Sequence, residues 1–416
     1  MIAVLAVATA MSGDFALSSG DRVVFYGDSI TQEQNADYVY PDFVEAYVVT
    51  RYPDRDIRFF NLGWPGDATW GGEGGASDLR VKRDVAPVHP TVVTIMLGMN
   101  DAGYVAFDPK IEAIFKEWYG KLLGWMKDAA PNARYSLIQT SPYDSITRDP
   151  ARTDPFTSDM IRLPYNSVLL RFGEVVKEMA SARGYAFVDF NKPVLDLLTA
   201  AKAANPEAAP LILPDGIHPA TPGHAVMAAH LLASWNASAL VSDVEIDASA
   251  GKVLKSEHAT ISKLSGLSWT CSEGSLPYPL PLTDPNVRVA VEHTDLLSRV
   301  GVERLAVKGL AAGTYRLEID GKKVGEFAAD KLASGIELGA CETPMMDQAM
   351  KVLDLAKKRN HLFFVRRHDL QWALDGIDTS KACAALDALA EEVRKAELAA
   401  ARPSSHRFTL TALPGS

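Results

Sequence analysis

Between Arg22 and Trp235, short apolar runs alternate with longer stretches in which apolar residues recur every three or four positions. A short apolar run bounded by turn residues reads as a buried strand. The three-to-four spacing reads as a helix with one face toward a core. On this basis strands are predicted at residues 23–26, 57–61, 92–97, 135–139 and 186–189. Helices are predicted at 38–51, 110–129, 161–183, 193–204 and 221–236. Five strands alternating with helices are the signature of βαβ units, so the first half is predicted to be a three-layer α/β/α domain on a parallel sheet.

Beyond about residue 239 the pattern changes. Short strands are predicted at 244–246, 252–254, 259–264, 288–291, 304–307, 314–319 and 323–327, with Asp320-Gly321 at the turn of a hairpin. Helices at 344–360 and 379–401 and a strand at 406–410 follow. The expected organisation is an arm or residual signal peptide over 1–20, an α/β domain over 21–239, and a β-rich accessory region with appended helices over 240–416. The segment 276–281, LPYPLP, is too proline-rich for a helix or a central strand. It reads as an extended connection, the alternative being a strap over the first domain that adds a wall to its pocket.

Length and composition agree with two domains, since 416 residues exceed what one core usually organises. A formal net charge of −10 argues against a nucleic-acid surface and against an anchor on anionic membranes. The three cysteines, Cys271, Cys341 and Cys383, show no C-x-x-C spacing and read as buried thiols, with one disulfide open. Residues 2–11, IAVLAVATAM, have the length and small-residue ending of an export signal but no preceding Lys or Arg. They are too short to span a bilayer as a helix. A secreted or periplasmic location is the expectation, with a packed N-terminal arm on a cytoplasmic protein as the alternative.

The candidate chemistry begins at VVFYGDSITQ, residues 23–32, where a strand turns sharply and presents Ser29 at its carboxyl end. A serine hydroxyl is a poor nucleophile until a base takes its proton, so Ser29 needs a histidine, an orienting carboxylate and an oxyanion hole. His218 is the candidate base. Asp215, three residues earlier, is spaced to reach its Nδ1, and Pro219 holds His218 extended. Each residue alone has a plainer reading: a turn serine, an exposed loop histidine, a capping aspartate.

With Asn61-x-Gly63-x-x-Gly66 and Gly98-x-Asn100-Asp101 lying between, these blocks in this order resemble the SGNH/GDSL hydrolase family of serine esterases. The resemblance covers residues 21–235 and implies a flavodoxin-like α/β/α fold, ester hydrolysis through an acyl-enzyme, and no metal or other cofactor. It also implies oxyanion donors at the backbone N–H of Ser29 and of Gly66 and at the side-chain amide of Asn100. The G-x-S-x-G elbow of α/β-hydrolases is absent.

Asp28, Trp64, Asp67 and Trp70 beside these blocks are candidate pocket residues, the two tryptophans as faces for a sugar ring, with simple packing as the alternative. The six-residue spacing of His218, His224 and His230 does not put three imidazoles on one helix face and does not support a metal site. The run Gly71-Gly72-Glu73-Gly74-Gly75 lacks the Lys-Ser/Thr ending of a phosphate loop and reads as a mobile rim beside Gly66. The expected partner is a small-molecule or polysaccharide ester, with a short acyl group, acetyl on carbohydrate first. The alternatives are a lipase, lysophospholipase or thioesterase on the same fold, or a carbohydrate-binding protein with a vestigial hydrolase domain.

Overall fold

A computed structural model describes residues 14–32, 36–145, 165–204 and 211–414. The N-terminal apolar run lies outside the described residues. Five strands, β1 (Arg22–Gly27), β2 (Arg58–Gly63), β5 (Val92–Met96), β6 (Arg134–Gln139) and β7 (Ala186–Asp189), form one sheet in the order β2-β1-β5-β6-β7. Every pairing in it is parallel. Strand β5 is buried along its whole length, as expected of a strand covered on both faces. Each predicted strand matches one of these five to within two residues at either end, and the three-layer reading is borne out.

The helices of this part are α1 (Ser29–Gln32), α2 (Tyr40–Arg51), α3 (Ser77–Arg80), α4 (Pro109–Ala129), α5 (Asn166–Arg183), α6 (Asn191–Ala204) and α7 (Thr221–Ser234). Where the expected start falls on described residues, it agrees to within two residues, and α7 begins at Thr221 as expected. Helix α4 begins at Pro109 because Asp108 caps it, accepting from the Lys110 amide at 2.8 Å. The expected start of α5 at residue 161 lies outside the described residues. Between β2 and α3, the short strands β3 (Gly71–Gly72) and β4 (Gly75–Ala76) pair as a tight hairpin, which replaces the open loop expected of the glycine run.

The second half carries two sheets: β10-β11-β16-β13-β14 and β15-β12-β8-β9. Their strands are β8 (Leu240–Asp247), β9 (Lys252–Glu257), β10 (Ala259–Ser265), β11 (Ser268–Glu273), β12 (Val302–Lys308), β13 (Thr314–Ile319), β14 (Lys322–Ala328), β15 (Ile336–Glu337) and β16 (Ser405–Ala412). One apolar cluster, including Ile246 and Val307 from one sheet and Trp269, Leu317 and Phe408 from the other, fills the space between them. Asp320 and Gly321 both take positive φ at the β13–β14 turn, as a two-residue hairpin of this kind requires.

The strand expected at 288–291 is instead part of helix α8 (Pro285–His293). Its valines suggested a strand, but Asp284 caps the helix and Pro285 sits at its first position, a start signal that outweighs β-branching. Strand β11 escaped the sequence reading because its core side is only Trp269 and Cys271 among polar residues. After α9 (Leu296–Val300) and α10 (Ala329–Ser334) come the long helices α11 (Pro344–Phe364) and α12 (Ser380–Ala400). The three cysteines are free thiols.

The main apolar core does not stop at residue 239. Leu276, Tyr278, Leu280 and Leu282 are buried in it, together with Val352, Leu353 and Ala401. Tyr278 stacks on Phe43 at 5.7 Å and donates to the Ala225 carbonyl at 3.0 Å. The proline-rich segment is therefore a strap packed on the α/β domain rather than a plain connection. Among the described residues no helix is long and apolar enough to cross a membrane.

Candidate active site

The strand order reverses between β1 and β5, and the crevice outside the carboxyl ends of these strands is where open α/β sheets bind ligands. Ser29 leaves β1 there and Asn100 follows β5. At the end of β1 the Asp28 carbonyl accepts from the amides of Thr31 and Gln32, while its carboxylate accepts from the Ile30 amide at 3.0 Å. The chain turns into α1, and Ser29 at its head is 6 % exposed. Its Oγ lies 2.8 Å from His218 Nε2.

His218 is held by Asp215 twice. The carboxylate lies 2.6 Å from Nδ1, and its other oxygen accepts from the His218 amide at 2.8 Å and the Ile217 amide at 3.0 Å. Burial opposes the charge on Asp215, but the His218 side chain and these amides outweigh it and hold the carboxyl down at about 2. An ionised Asp215 fixes the proton on Nδ1, which leaves Nε2 as the acceptor facing Ser29.

Gly66 takes a positive φ of 72° on an exposed turn just after β2. Asn100 is clamped at both ends of its amide: Nδ2 donates to the Asp67 carbonyl at 2.9 Å, and Oδ1 accepts from Tyr104 Oη at 3.1 Å. Nδ2 carries a second hydrogen, so one donor remains for a ligand.

Residues 25–226 match the model of the GDSL-like lipase/acylhydrolase family. They belong to that family. This segment is thus a GDSL-like hydrolase domain. No curated protein sequence matches the chain. Among solved structures, it is similar to a gut microbial diltiazem-metabolizing enzyme at 26% identity, with a TM-score of 0.73, covering 95% of this chain and 98% of the other. A catalytic mutant of an acetylxylan esterase from Geobacillus stearothermophilus is 23% identical with a TM-score of 0.40, covering 54% of this chain and 97% of its own.

In this GDSL-like hydrolase the four expected pocket residues separate. Trp70 is 38% exposed beside the hairpin, but Trp64 is 1% exposed, and Asp28 and Asp67 are fully buried. The faces of Trp64 expected to meet a sugar are taken by the guanidinium groups of Arg80, Arg83 and Arg367. Asp67 pairs with buried Arg80, which also donates to the Leu62 carbonyl.

Burial pushes Asp28 up to about 8 and Asp67 and Asp101 up to about 6. A neutral Asp28 next to Ser29 keeps negative charge away from the place where an oxyanion would form. Asp101 accepts from the amide and hydroxyl of Thr69, tying the Asn100 turn to the Gly66 turn.

The three histidines of the six-residue repeat diverge. His224 is buried and accepts from the Tyr40 amide at 3.2 Å, and burial followed by the His218 charge pushes it down to about 3. His230 faces Asp295 at 3.6 Å. Among the described residues no cluster of His, Cys, Asp or Glu could hold a metal ion. Sequence reasoning missed Arg80, Thr69 and Arg367. Arg80 lies in a run of mixed charge with Asp78, Lys82, Arg83 and Asp84, where nothing sets it apart, and nothing local marks Arg367, which lies 304 residues from its partner Gly63.

Proposed function

We propose that this chain is a serine esterase that works through an acyl-enzyme on short-chain acyl esters, an acetylesterase acting on carbohydrate or other ring-bearing alcohols. The single observation that carries the reading is the relay Ser29 Oγ, His218 Nε2, His218 Nδ1, Asp215, with contacts of 2.8 and 2.6 Å. Ser29 Oγ attacks the acyl carbon as its proton passes to His218 Nε2, and Asp215 stabilises the imidazolium. The amides of Ser29 and Gly66 and the Asn100 side chain receive the oxyanion. Collapse expels the alcohol, which takes the proton from His218. Water then repeats the sequence on the acyl-serine and releases the carboxylic acid. No step needs a metal. The likeness to a diltiazem-metabolizing enzyme over nearly the whole chain supports a small, ring-bearing ester as substrate.

The test compares the parent with Ser29→Ala on p-nitrophenyl acetate, acetylated xylan and diltiazem, with a chelator present throughout. The expected result is release of acetate by the parent and a fall of about a thousandfold or more in the variant, with its melting temperature retained. A variant that keeps the parent's rate, or a parent abolished by the chelator, would overturn the reading.

A further inference from the structure

Helix α11 runs on past Phe364 into a π-helical turn, Val365–Trp372. Wider turns of this kind strain the regular ladder and recur beside functional sites. Arg367 anchors this one: it is buried, its Nη2 donates to the Gly63 carbonyl at 2.7 Å, and its guanidinium lies 4.7 Å from the centre of the Trp64 ring. His368 sits between Phe364 at 4.6 Å and Trp64 at 4.9 Å. Trp372 stands edge-on to Trp64 at 5.6 Å, with the Arg83 guanidinium 4.5 Å from its own ring.

The turn reaches the site through the glycine hairpin. A Cβ on Gly75 would lie 3.5 Å from the Trp372 ring. At the other end of the hairpin, a Cβ on Gly72 would stand 2.8 Å from the Gly66 carbonyl, and Glu73 Cγ reaches to 3.9 Å from where a Gly66 Cβ would be. Gly66, Glu73, Gly75 and Trp372 therefore follow one another outward from the proposed oxyanion turn. Trp372 is 38% exposed, with the Arg83 guanidinium over its ring and the Trp64 indole edge-on to it. Such a ring is a platform for the flat apolar face of a sugar, and the exposed carboxylate of Glu73, on the same hairpin as Gly75, accepts from hydroxyls.

We propose that Trp372, His368 and Glu73 form an outer subsite that receives a hydroxyl-bearing ring, a pyranose, in the alcohol half of the ester. The proposal rests on the serine-esterase reading above. It makes the accessory region part of substrate selection, since two of the three residues come from beyond residue 360.

The experiment measures kcat and KM on xylose tetraacetate and on ethyl acetate, whose alcohol half has no ring, for the parent, Trp372→Ala, Trp372→Phe and Glu73→Gln. In Trp372→Ala the ratio of kcat/KM for the sugar ester to that for ethyl acetate is expected to fall about three- to tenfold, the size of one aromatic contact. The fall lies in KM, Trp372→Phe recovers most of it, and Glu73→Gln lowers the same ratio. An unchanged ratio, or an equal loss on both esters, overturns the proposal, the second by showing that Trp372 only braces the hairpin. A parent that hydrolyses ethyl acetate but not the sugar ester also overturns it while leaving the esterase reading intact. Failure of that reading would show separately, as Ser29→Ala keeping the parent's rate on ethyl acetate.

Discussion

Asp28 stands next to Ser29 in the chain, yet its side chain has no exposed surface and one of its oxygens has no hydrogen-bond partner among the described residues. Burial, reinforced by the nearby Asp101 and Asp67 charges, raises its folded value to about 8, against an unfolded value of about 4. A carboxyl raised in this way contributes stability that is fully present below the unfolded value and lost as pH rises through the folded one. The parent's melting temperature is therefore expected to fall between pH 6 and pH 9. Asp28→Asn keeps the acceptor for the Ile30 amide and has no proton to lose, so its melting curve should be flatter over that range. A variant with the parent's slope would show that Asp28 is not the group responsible.

This is also where residue chemistry was least legible in advance. The sequence marks Asp28, Asp67 and Trp64 as polar or aromatic residues near a nucleophile, which suggests a pocket lining. Whether a side chain faces ligand or core depends on what covers it. Here Arg80, Arg83 and Arg367 cover Trp64, and Arg80 takes Asp67.

The elements that carry the site are short and lean on one another. Asn61, near the end of β2, donates to the Thr31 carbonyl at 2.7 Å and accepts from the Gly63 amide at 3.0 Å, so the strand end holds the last turn of α1. Gly63 lies against the Gln32 backbone, which a Cβ there would strike. Gly63→Ala is expected to cost about 1–3 kcal/mol of stability and to lower kcat more than KM, because displacing α1 moves Ser29 from His218. Denaturant unfolding alongside steady-state kinetics on p-nitrophenyl acetate would check both. Stability and kinetics equal to the parent's would mean that α1 is not seated by this contact.

At this scale the strands of the parallel sheet were readable because buried strands are continuous apolar runs between turn residues. Strand β11 and helix α8 were not. The first buries too few apolar residues to show a period, and the second hides a capped start behind β-branched residues.

Over the whole molecule, helix α2 is the joint between the two halves. From its inner face Glu45 pairs with Arg359 of α11 and lies beside Glu397 of α12. At its end Arg51 donates to Leu240, Ser275 and Val300. Glu45 and Glu397 are both buried. Burial raises each carboxyl; the Glu45 charge raises Glu397 further, while a hydrogen bond with Glu397 favours the charged form of Glu45, and Arg359 and Arg394 only partly offset the burial. With both values raised, the contribution of this pair is present in mild acid and lost as the pH rises, by the same sign as for Asp28. Glu397→Gln keeps the shape and removes one of the two charges. It is expected to melt above the parent at pH 9, by about 2–4 °C for each kcal/mol recovered, and to approach it at pH 5. Equal melting temperatures at pH 9 would mean that the pair carries no charge strain there.

The sequence by itself determined the alternation of strands and helices, the order in which Ser29, Gly66 and Asn100 follow their strands and His218 stands in the last loop before a helix, and the Asp-x-x-His spacing that lets one loop bring Asp215 to His218. These are local signals, set by apolar period, turn chemistry and short separations, and they survive without knowing what lies on the other side of the core. Only the tertiary structure decided which charges are buried and therefore neutral, that the strap over 276–282 and helices α11 and α12 complete the core of the α/β domain, and that Trp372 arrives at the glycine hairpin beside Gly66. Burial and long-range contact depend on residues hundreds of positions apart, and no period or motif records where two such surfaces meet.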